Sequence, residues 1–312
     1  MPHAEKPIQI YVAAFANLAI AISKFAVAAI TGSSAMLSEG VHSLADTGNQ
    51  LLLLLGIKRS RKAPDKTHPF GYGQEIYFWG FMVAIILFSI GGGVSIYEGL
   101  TRLRSNQEIS NRFWSYIVLA IAAIAEMISF RSALHVFRKS LRPGEHWWHA
   151  FRTSKDPGVF LVLAEDSAAL VGLGVAAAGI WLEQRLHSPV PDAIAAILIG
   201  VILSAVAMLM GLETKALLLG ESADIETVEE IRRIVNRDPL VAQAHTPLTM
   251  HFAPNEILLN MAVDFNSGAS GDAIVASIDR FETEIRRRFP EIRQIFIEAE
   301  SLKNPGHPRR IA

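Results

Sequence analysis

The chain has 312 residues, of which 51% are hydrophobic and 19% are charged, with a formal net charge of −1 and no cysteine. The near-zero net charge argues against nucleic-acid binding and against a polybasic membrane tether. The absence of cysteine excludes disulfides and thiolate ligands, so any metal site must be built from nitrogen and oxygen donors.

The hydrophobic residues are grouped in long runs, which is typical of a membrane protein. Runs of about 20 apolar residues are long enough to cross a bilayer as helices. They occur at about 8–30, 34–57, 76–99, 113–136, 158–182 and 190–211. We therefore predict an all-α transmembrane bundle of six helices over residues 1–215.

Charged residues between the predicted spans indicate the orientation of the bundle. Ten lysines and arginines fall in the second-to-third and fourth-to-fifth connections, against four arginines in the connections on the other side. Basic loops stay on the cytoplasmic side, and an even number of crossings returns the chain to its starting side. Both termini are predicted to be cytoplasmic in a multi-pass integral protein of the cell's inner (plasma) membrane.

The second predicted span carries the most informative polar residues of the chain. His42 and Asp46 lie four residues apart in it, and Asn49 continues the same stripe. Four residues on a helix separate two side chains by about 40° and about 6 Å, so one ion could lie between them. Ionisable groups at membrane depth are costly and rare, which makes this pair a functional hypothesis.

The fifth predicted span contributes the adjacent carboxylates Glu165 and Asp166. Neighbours on a helix diverge by about 100°, so one of the two is expected to face the second span. At about 1.5 Å per residue from the inner ends of both spans, Asp46 and Asp166 differ in depth by less than one turn. We predict a metal site shared by these spans; the alternative is that its residues only hydrogen-bond neighbouring helices.

Three further ionisable residues in the predicted spans receive structural interpretations. Lys24, toward the outer end of the first span, is expected to extend its ammonium group to the membrane surface. Asp192, directly after a proline, is interpreted as a helix-start residue. Glu126, near the middle of the fourth span, is expected to form an interhelical hydrogen bond.

An imidazole with two or three carboxylates suits a divalent cation in tetrahedral geometry. Zinc is the first expectation, with Mn²⁺, Fe²⁺, Co²⁺ and Cd²⁺ as alternatives, and no organic cofactor is expected. Protons compete with metal for such ligands, which predicts a proton-coupled transporter. An intramembrane metalloenzyme would need a pattern such as His-Glu-x-x-His, and the sequence lacks it.

Residues 216–312 have mixed charge and short apolar alternations, which predict a small cytoplasmic α+β domain. The expected helices span Ile225 to Arg237 and Asp272 to Phe289. The expected strands span Val241 to Phe252, Ile257 to Phe265 and Gln294 to Ala299, giving an α-β-β-α-β order. Because a domain of this size has a limited core, we expect a homodimer.

These features together resemble the cation diffusion facilitators, six-helix metal exporters with a metallochaperone-like cytoplasmic domain. The resemblance rests on the segment His42 to Asp46, the loop Asp65 to Gly73, Asp166 and the C-terminal element order. The loop, followed by Tyr77 to Trp79, is most similar to the branch that contains zinc transporter nine. The family implies efflux by alternating access; a membrane metal sensor or scaffold without transport is the alternative.

The resemblance also implies metal ligands. Most members carry a histidine four residues before the aspartate of helix five, and this chain has Val162 there. Glu165, Asn49 or a water would then complete the shell. The ligands expected for the transported metal are His42, Asp46, Glu165 and Asp166.

Other positions match additional metal sites of the family. In the loop after the second span, Tyr72 stands where a second site would place its last histidine. The cytoplasmic domain has one matching histidine and a pair of glutamates on its last strand, for which the family implies dimerisation and regulation. The additional candidate ligands are Asp65, His68, His245, Glu298 and Glu300.

Overall fold

The computed structural model describes residues 7–104, 112–140, 157–254 and 256–301. The chain divides into two compact units, Met1–Lys215 and Ala216–Ala312. Each unit has its own core of buried hydrophobic side chains.

Six long helices run through the described part of the first unit, and they confirm the predicted membrane bundle. In the third, a π-helical stretch, Leu87–Val94, separates the α-helical segments Glu75–Ile86 and Ser95–Arg102. The helices are α1 (Pro7–Thr31), α2 (Ser34–Ser60), α3 (Glu75–Arg102), α4 (Arg112–Ser140), α5 (Pro157–Leu186) and α6 (Val190–Leu218).

Four of these helices, α3 to α6, contain described segments long and apolar enough to cross a membrane. The described apolar part of α1, Asn17–Thr31, is shorter. Helix α2 has the length of a span but carries Glu39, His42 and Asp46 among its buried residues. It therefore brings ionisable side chains into the interior of the bundle.

Glycines let α3 and α6 approach each other closely. A Cβ atom added at Gly200 would lie 2.8 Å from the carbonyl oxygen of Gly92 and 2.8 Å from the backbone nitrogen of Ile96. Both neighbours are backbone atoms, which cannot rotate away. Small residues at helix crossings bring membrane helices together in this way, and Gly92 belongs to the π-helical stretch of α3.

We expect Gly200→Val to destabilise the bundle by about 1–3 kcal/mol, because the added side chain must push the two backbones apart. Gly174→Val in α5 is the matched control, since a Cβ atom at Gly174 would have no atom of the described residues within 4 Å. The measurement is the melting temperature of each purified variant in detergent. Equal melting temperatures would contradict the close packing of α3 on α6.

The first turn of α2 is held by a carboxylate from α6. The hydroxyl of the N-cap residue Ser33 accepts a hydrogen bond from the Met36 amide, at 3.2 Å. Asp192 accepts hydrogen bonds from the Ser33 hydroxyl at 2.6 Å and from the amides of Ser34 and Ala35 at 2.6 and 3.3 Å. An anion stabilises a helix N-terminus, so Asp192 stabilises the start of α2. The sequence had suggested only that Asp192 begins its own helix, α6.

The second unit is a small α+β domain, as predicted. Its central strand is paired in parallel with one neighbour and antiparallel, along the opposite edge, with two short strands. Alternate residues of the central strand are buried in the core. The elements are α7 (Ile225–Asn236), β1 (Val241–Ala244), β2 (Leu248–Ala253), β3 (Glu256–Phe265), α8 (Gly271–Arg288) and β4 (Ile292–Ser301).

The structure divides the predicted strand Val241 to Phe252 into β1 and β2. Residues 245–247 separate them, and Pro247 has no N–H group to donate to a ladder. Both strands still pair antiparallel with β3, so the break interrupts one edge without changing its direction. The element order is α-β-β-β-α-β, and Pro247 was the signal for the break.

Candidate functional site

His42 and Asp46 lie side by side on α2, as expected from their spacing. His42 Nδ1 is 3.3 Å from Asp46 Oδ1, and the two residues are only 1% and 6% exposed. Neither His42 ring nitrogen, nor Asp46 Oδ1, forms a hydrogen bond within the described part of the chain. Buried polar atoms without a partner are rare, and free lone pairs on imidazole and carboxylate suit a divalent cation.

Glu165 of α5 joins this pair. Its Oε1 accepts a hydrogen bond of 2.5 Å from Asn49 Nδ2 on α2. Its carboxyl group also lies within hydrogen-bonding reach of the Asp46 carboxyl group. Two carboxyl groups can share a hydrogen bond only when one of them holds a proton. The contact between α2 and α5 is therefore built from one amide and two carboxyl groups, whose oxygens are potential metal ligands.

Asp166 turns toward a different helix. Its Oδ2 accepts a hydrogen bond of 2.8 Å from Ser129 Oγ on α4. Glu126, one turn earlier on α4, is 9% exposed and lies within electrostatic range of Asp166. The neighbours Glu165 and Asp166 thus contact different helices, as expected from their angular separation.

The four predicted ligands do not form a finished coordination shell. Among the residues that the structure describes, no three His, Asp or Glu side chains are arranged so that they could hold a metal ion. The contacts are pairwise: His42 with Asp46, Asp46 with Glu165, and Asp166 with Ser129. Bringing the ligands around one cation would require rotation of these side chains.

A second buried polar cluster beside His42 was missed by the sequence reasoning. Lys24 on α1 is 0% exposed, so the expectation that its ammonium group reaches the membrane surface is wrong. Its Nζ is 2.9 Å from Glu39 Oε2 and donates a hydrogen bond of 2.8 Å to Ser43 Oγ. The signal was available, since an ionisable residue in a membrane span is by default a functional hypothesis.

In the loop between α2 and α3, the Asp65 carboxylate accepts hydrogen bonds from several neighbouring residues. Its Oδ1 accepts hydrogen bonds from the Thr67 hydroxyl at 2.7 Å and the His68 amide at 2.9 Å. Its Oδ2 accepts from Tyr72 Oη at 2.7 Å and Lys62 Nζ at 3.1 Å. These hydrogen bonds, that of Thr67 foremost, hold the pKa of Asp65 well below its usual range. A metal here would have to compete with the Lys62 ammonium group.

The two candidate ligands Asp65 and His68 are close neighbours in this loop. His68 Nδ1 is 3.6 Å from Asp65 Oδ1, and the His68 ring packs on Tyr72 with 4.1 Å between ring centroids. The arrangement fits a structural loop, since the hydrogen-bond donors to the Asp65 carboxylate among the described residues all belong to the loop itself.

In the second unit, the structure pairs His245 with Asp264. His245 Nε2 is 3.2 Å from Asp264 Oδ2. On the other side of β3, the parallel register places Glu298 beside Ala262 and Glu300 beside Asp264. The side chain of Glu300 lies outside the described residues. His245 and Glu298 are thus separated by β3, and the histidine partner that the structure provides, Asp264, was not among the predicted ligands.

Comparisons with known proteins show which proteins the chain is similar to. A family model described as the cation efflux transmembrane domain matches residues 10–219. A mitochondrial proton-coupled zinc antiporter of Xenopus laevis is 29% identical over 306 residues, which are 86% of this chain and 55% of the relative. The human counterpart is 28% identical and is likewise covered over 55% of its length. The chain spans about half the length of these vertebrate relatives.

Two further relatives match over most of their length. Metal tolerance protein C4 of Arabidopsis thaliana is 25% identical over 93% of this chain and 72% of its own. The manganese efflux system protein MneP of Bacillus subtilis is 24% identical over 92% of this chain and 93% of its own.

Proposed function

Because the chain belongs to the cation efflux family, we propose that it exports divalent metal cations, zinc first, in exchange for protons. The observation that carries the proposal is the buried contact of His42, Asp46 and Glu165 between α2 and α5. Both His42 ring nitrogens and Asp46 Oδ1 lack a hydrogen bond to any residue that the structure describes. The names of the vertebrate relatives support zinc and protons, and that of the Bacillus relative supports manganese as a second substrate.

Proton exchange follows from the same contact. The carboxyl groups of Asp46 and Glu165 share a proton when they touch. A dication between them needs both groups ionised and the imidazole of His42 neutral, so metal binding releases protons and proton binding releases metal. Histidine titrates at a pKa of about 6.5 in its unperturbed state, which lies in the range of cellular pH.

The remaining ligands extend this core. Asn49 orients Glu165 by its hydrogen bond. Its Oδ1, which forms no hydrogen bond within the described ranges of the chain, provides a further potential metal ligand. Asp166 completes the shell in this proposal by turning from Ser129 toward the cation. Alternating access would expose these groups first to the cytoplasm and then to the opposite side, as the helices that carry them move apart.

The second unit is assigned a role in dimerisation and regulation. Its small size favours stabilisation by a second copy of the chain. His245, Glu298 and Glu300 remain candidates for a regulatory metal, with Asp264 added as the partner of His245. The basic loops support cytoplasmic termini at the inner (plasma) membrane; the mitochondrial location in the vertebrate names is a property of those proteins.

The test is transport by the full chain reconstituted in vesicles that contain a zinc-sensitive dye. We expect zinc uptake to accelerate when the vesicle lumen is made acidic, with luminal alkalinisation in step with uptake. On the side from which zinc is loaded, each unit by which the pH is lowered should reduce the apparent zinc affinity by about tenfold for each proton that zinc displaces.

Protein-free vesicles give the background rate. Zinc uptake that does not respond to an imposed pH gradient would contradict proton exchange. No transport of Zn²⁺, Mn²⁺, Fe²⁺, Co²⁺ or Cd²⁺ would contradict efflux and favour the sensor or scaffold.

A further inference from the structure

A buried ion pair next to the transport groups has no part in the exchange described above. Lys24 on α1 and Glu39 on α2 are both 0% exposed and lie 2.9 Å apart. Removing two charges from water costs more than an average ion pair returns. Ionisable residues inside a membrane domain accordingly mark functional positions more often than simple helix packing.

The hydrogen bond of Lys24 places the positive member of this pair beside Ser43, which is closer to Asp46 along α2 than Glu39 is. Lys24 Nζ donates a hydrogen bond of 2.8 Å to Ser43 Oγ, and Ser43 follows His42 directly in the chain. Along α2, Ser43 is three residues from Asp46, a rise of about 4.5 Å, whereas Glu39 is seven residues away, about 10.5 Å. The ammonium charge lies within electrostatic range of both His42 and Asp46.

A glycine on α5 leaves room for the Glu39 carboxylate. Glu39 Oε1 forms no hydrogen bond among the described residues. It packs against Gly172 of α5, where a Cβ atom would lie only 2.6 Å from it. The glycine therefore provides the space that the carboxylate occupies.

We propose that Lys24 is a fixed internal cation that lowers the affinity of the transport groups for the metal and thereby speeds its release, with Glu39 holding Lys24 in place. The inference rests on the proposed function, because it concerns the same metal. Repulsion between an ammonium group and a dication remains substantial over about 10 Å at the effective dielectric constant of about 20 that suits proteins. Lys24 and Glu39 are positioning residues, since neither is a ligand in this arrangement.

Opposite effects of two single substitutions test the proposal. Lys24→Met removes the repelling charge and is expected to bind zinc about tenfold more tightly, with a lower KM and a lower kcat. Glu39→Gln leaves the ammonium charge uncompensated and is expected to bind zinc about tenfold more weakly. Lys24→Arg keeps the charge, and its zinc affinity should stay within about threefold of that of the native chain.

The measurements are calorimetric zinc binding in detergent and zinc uptake by vesicles. A purely structural ion pair would weaken binding in both single variants.

The double variant Lys24→Met with Glu39→Gln leaves no unpaired buried charge, so it decides the question if a single variant fails to fold. Because the nearer, positive charge is gone, it is expected to bind zinc about threefold more tightly than the native chain and to fall between the single variants. Unchanged or weaker binding by the double variant would overturn the proposal.

The matched control is Glu183→Gln, which neutralises another fully buried carboxylate, 3.9 Å from Arg112. Its zinc affinity should equal that of the native chain. A native chain that moves no metal would defeat the proposed function itself. A native chain that transports zinc, with Lys24 variants of unchanged affinity, would defeat only the role of Lys24.

Discussion

Asp46→Asn is expected to lower zinc transport by at least about a hundredfold in kcat/KM, because this carboxylate touches both His42 and Glu165. The amide keeps the shape of the side chain but carries no negative charge to offset a buried dication. Substitution of groups that only orient metal ligands costs about 10–100-fold, so a direct ligand should cost at least the upper value. The measurement is the initial rate of zinc uptake by vesicles.

Glu183→Gln again controls for the loss of a buried carboxylate. It should transport zinc at the native rate. An Asp46→Asn protein that retained more than about a tenth of the native rate would contradict a direct role of this carboxylate in metal binding.

Glu165→Gln is expected to lower zinc transport more strongly than Asp166→Asn does. Glu165 contacts Asp46 directly, whereas the described hydrogen bond of Asp166 leads to Ser129 on α4. We expect a loss of about a hundredfold in zinc transport for Glu165→Gln and about tenfold for Asp166→Asn. Zinc binding measured by calorimetry should follow the same order.

A larger loss of transport for Asp166→Asn than for Glu165→Gln would make Asp166 the main metal ligand of α5. If Asp166→Asn abolished transport and Glu165→Gln did not, Glu165 would be outside the metal shell. Asn49 or a water would then complete it, which were the other two options left by Val162 at the usual histidine position.

The pairing of His42 with Asp46 was predictable because it depends only on local helix geometry. A spacing of four residues places two side chains on one face whatever the tertiary structure. The divergence of Glu165 and Asp166 was predictable for the same reason. The sequence could not predict which of these two carboxylates faces α2, because the rotation of one helix relative to another is set by packing along its whole length.

The expectation that Lys24 reaches the membrane surface was wrong for the same reason, since it too depends on helix packing. Its position near the end of a span was visible, but its partner Glu39 belongs to the next helix and its depth depends on how α1 packs. The role of Asp192 was also hidden, since the carboxylate acts on a helix start 158 residues away in the chain. The division of the first strand, in contrast, could have been predicted from Pro247 alone.

The hydrogen bonds of Asp192 constrain how the bundle can change shape. They connect the beginning of α6 to the hydroxyl of Ser33 and to the amides of Ser34 and Ala35 at the beginning of α2. Separating these two ends would break three hydrogen bonds at once. We therefore expect α2 and α6 to move as a single body at this end of the bundle.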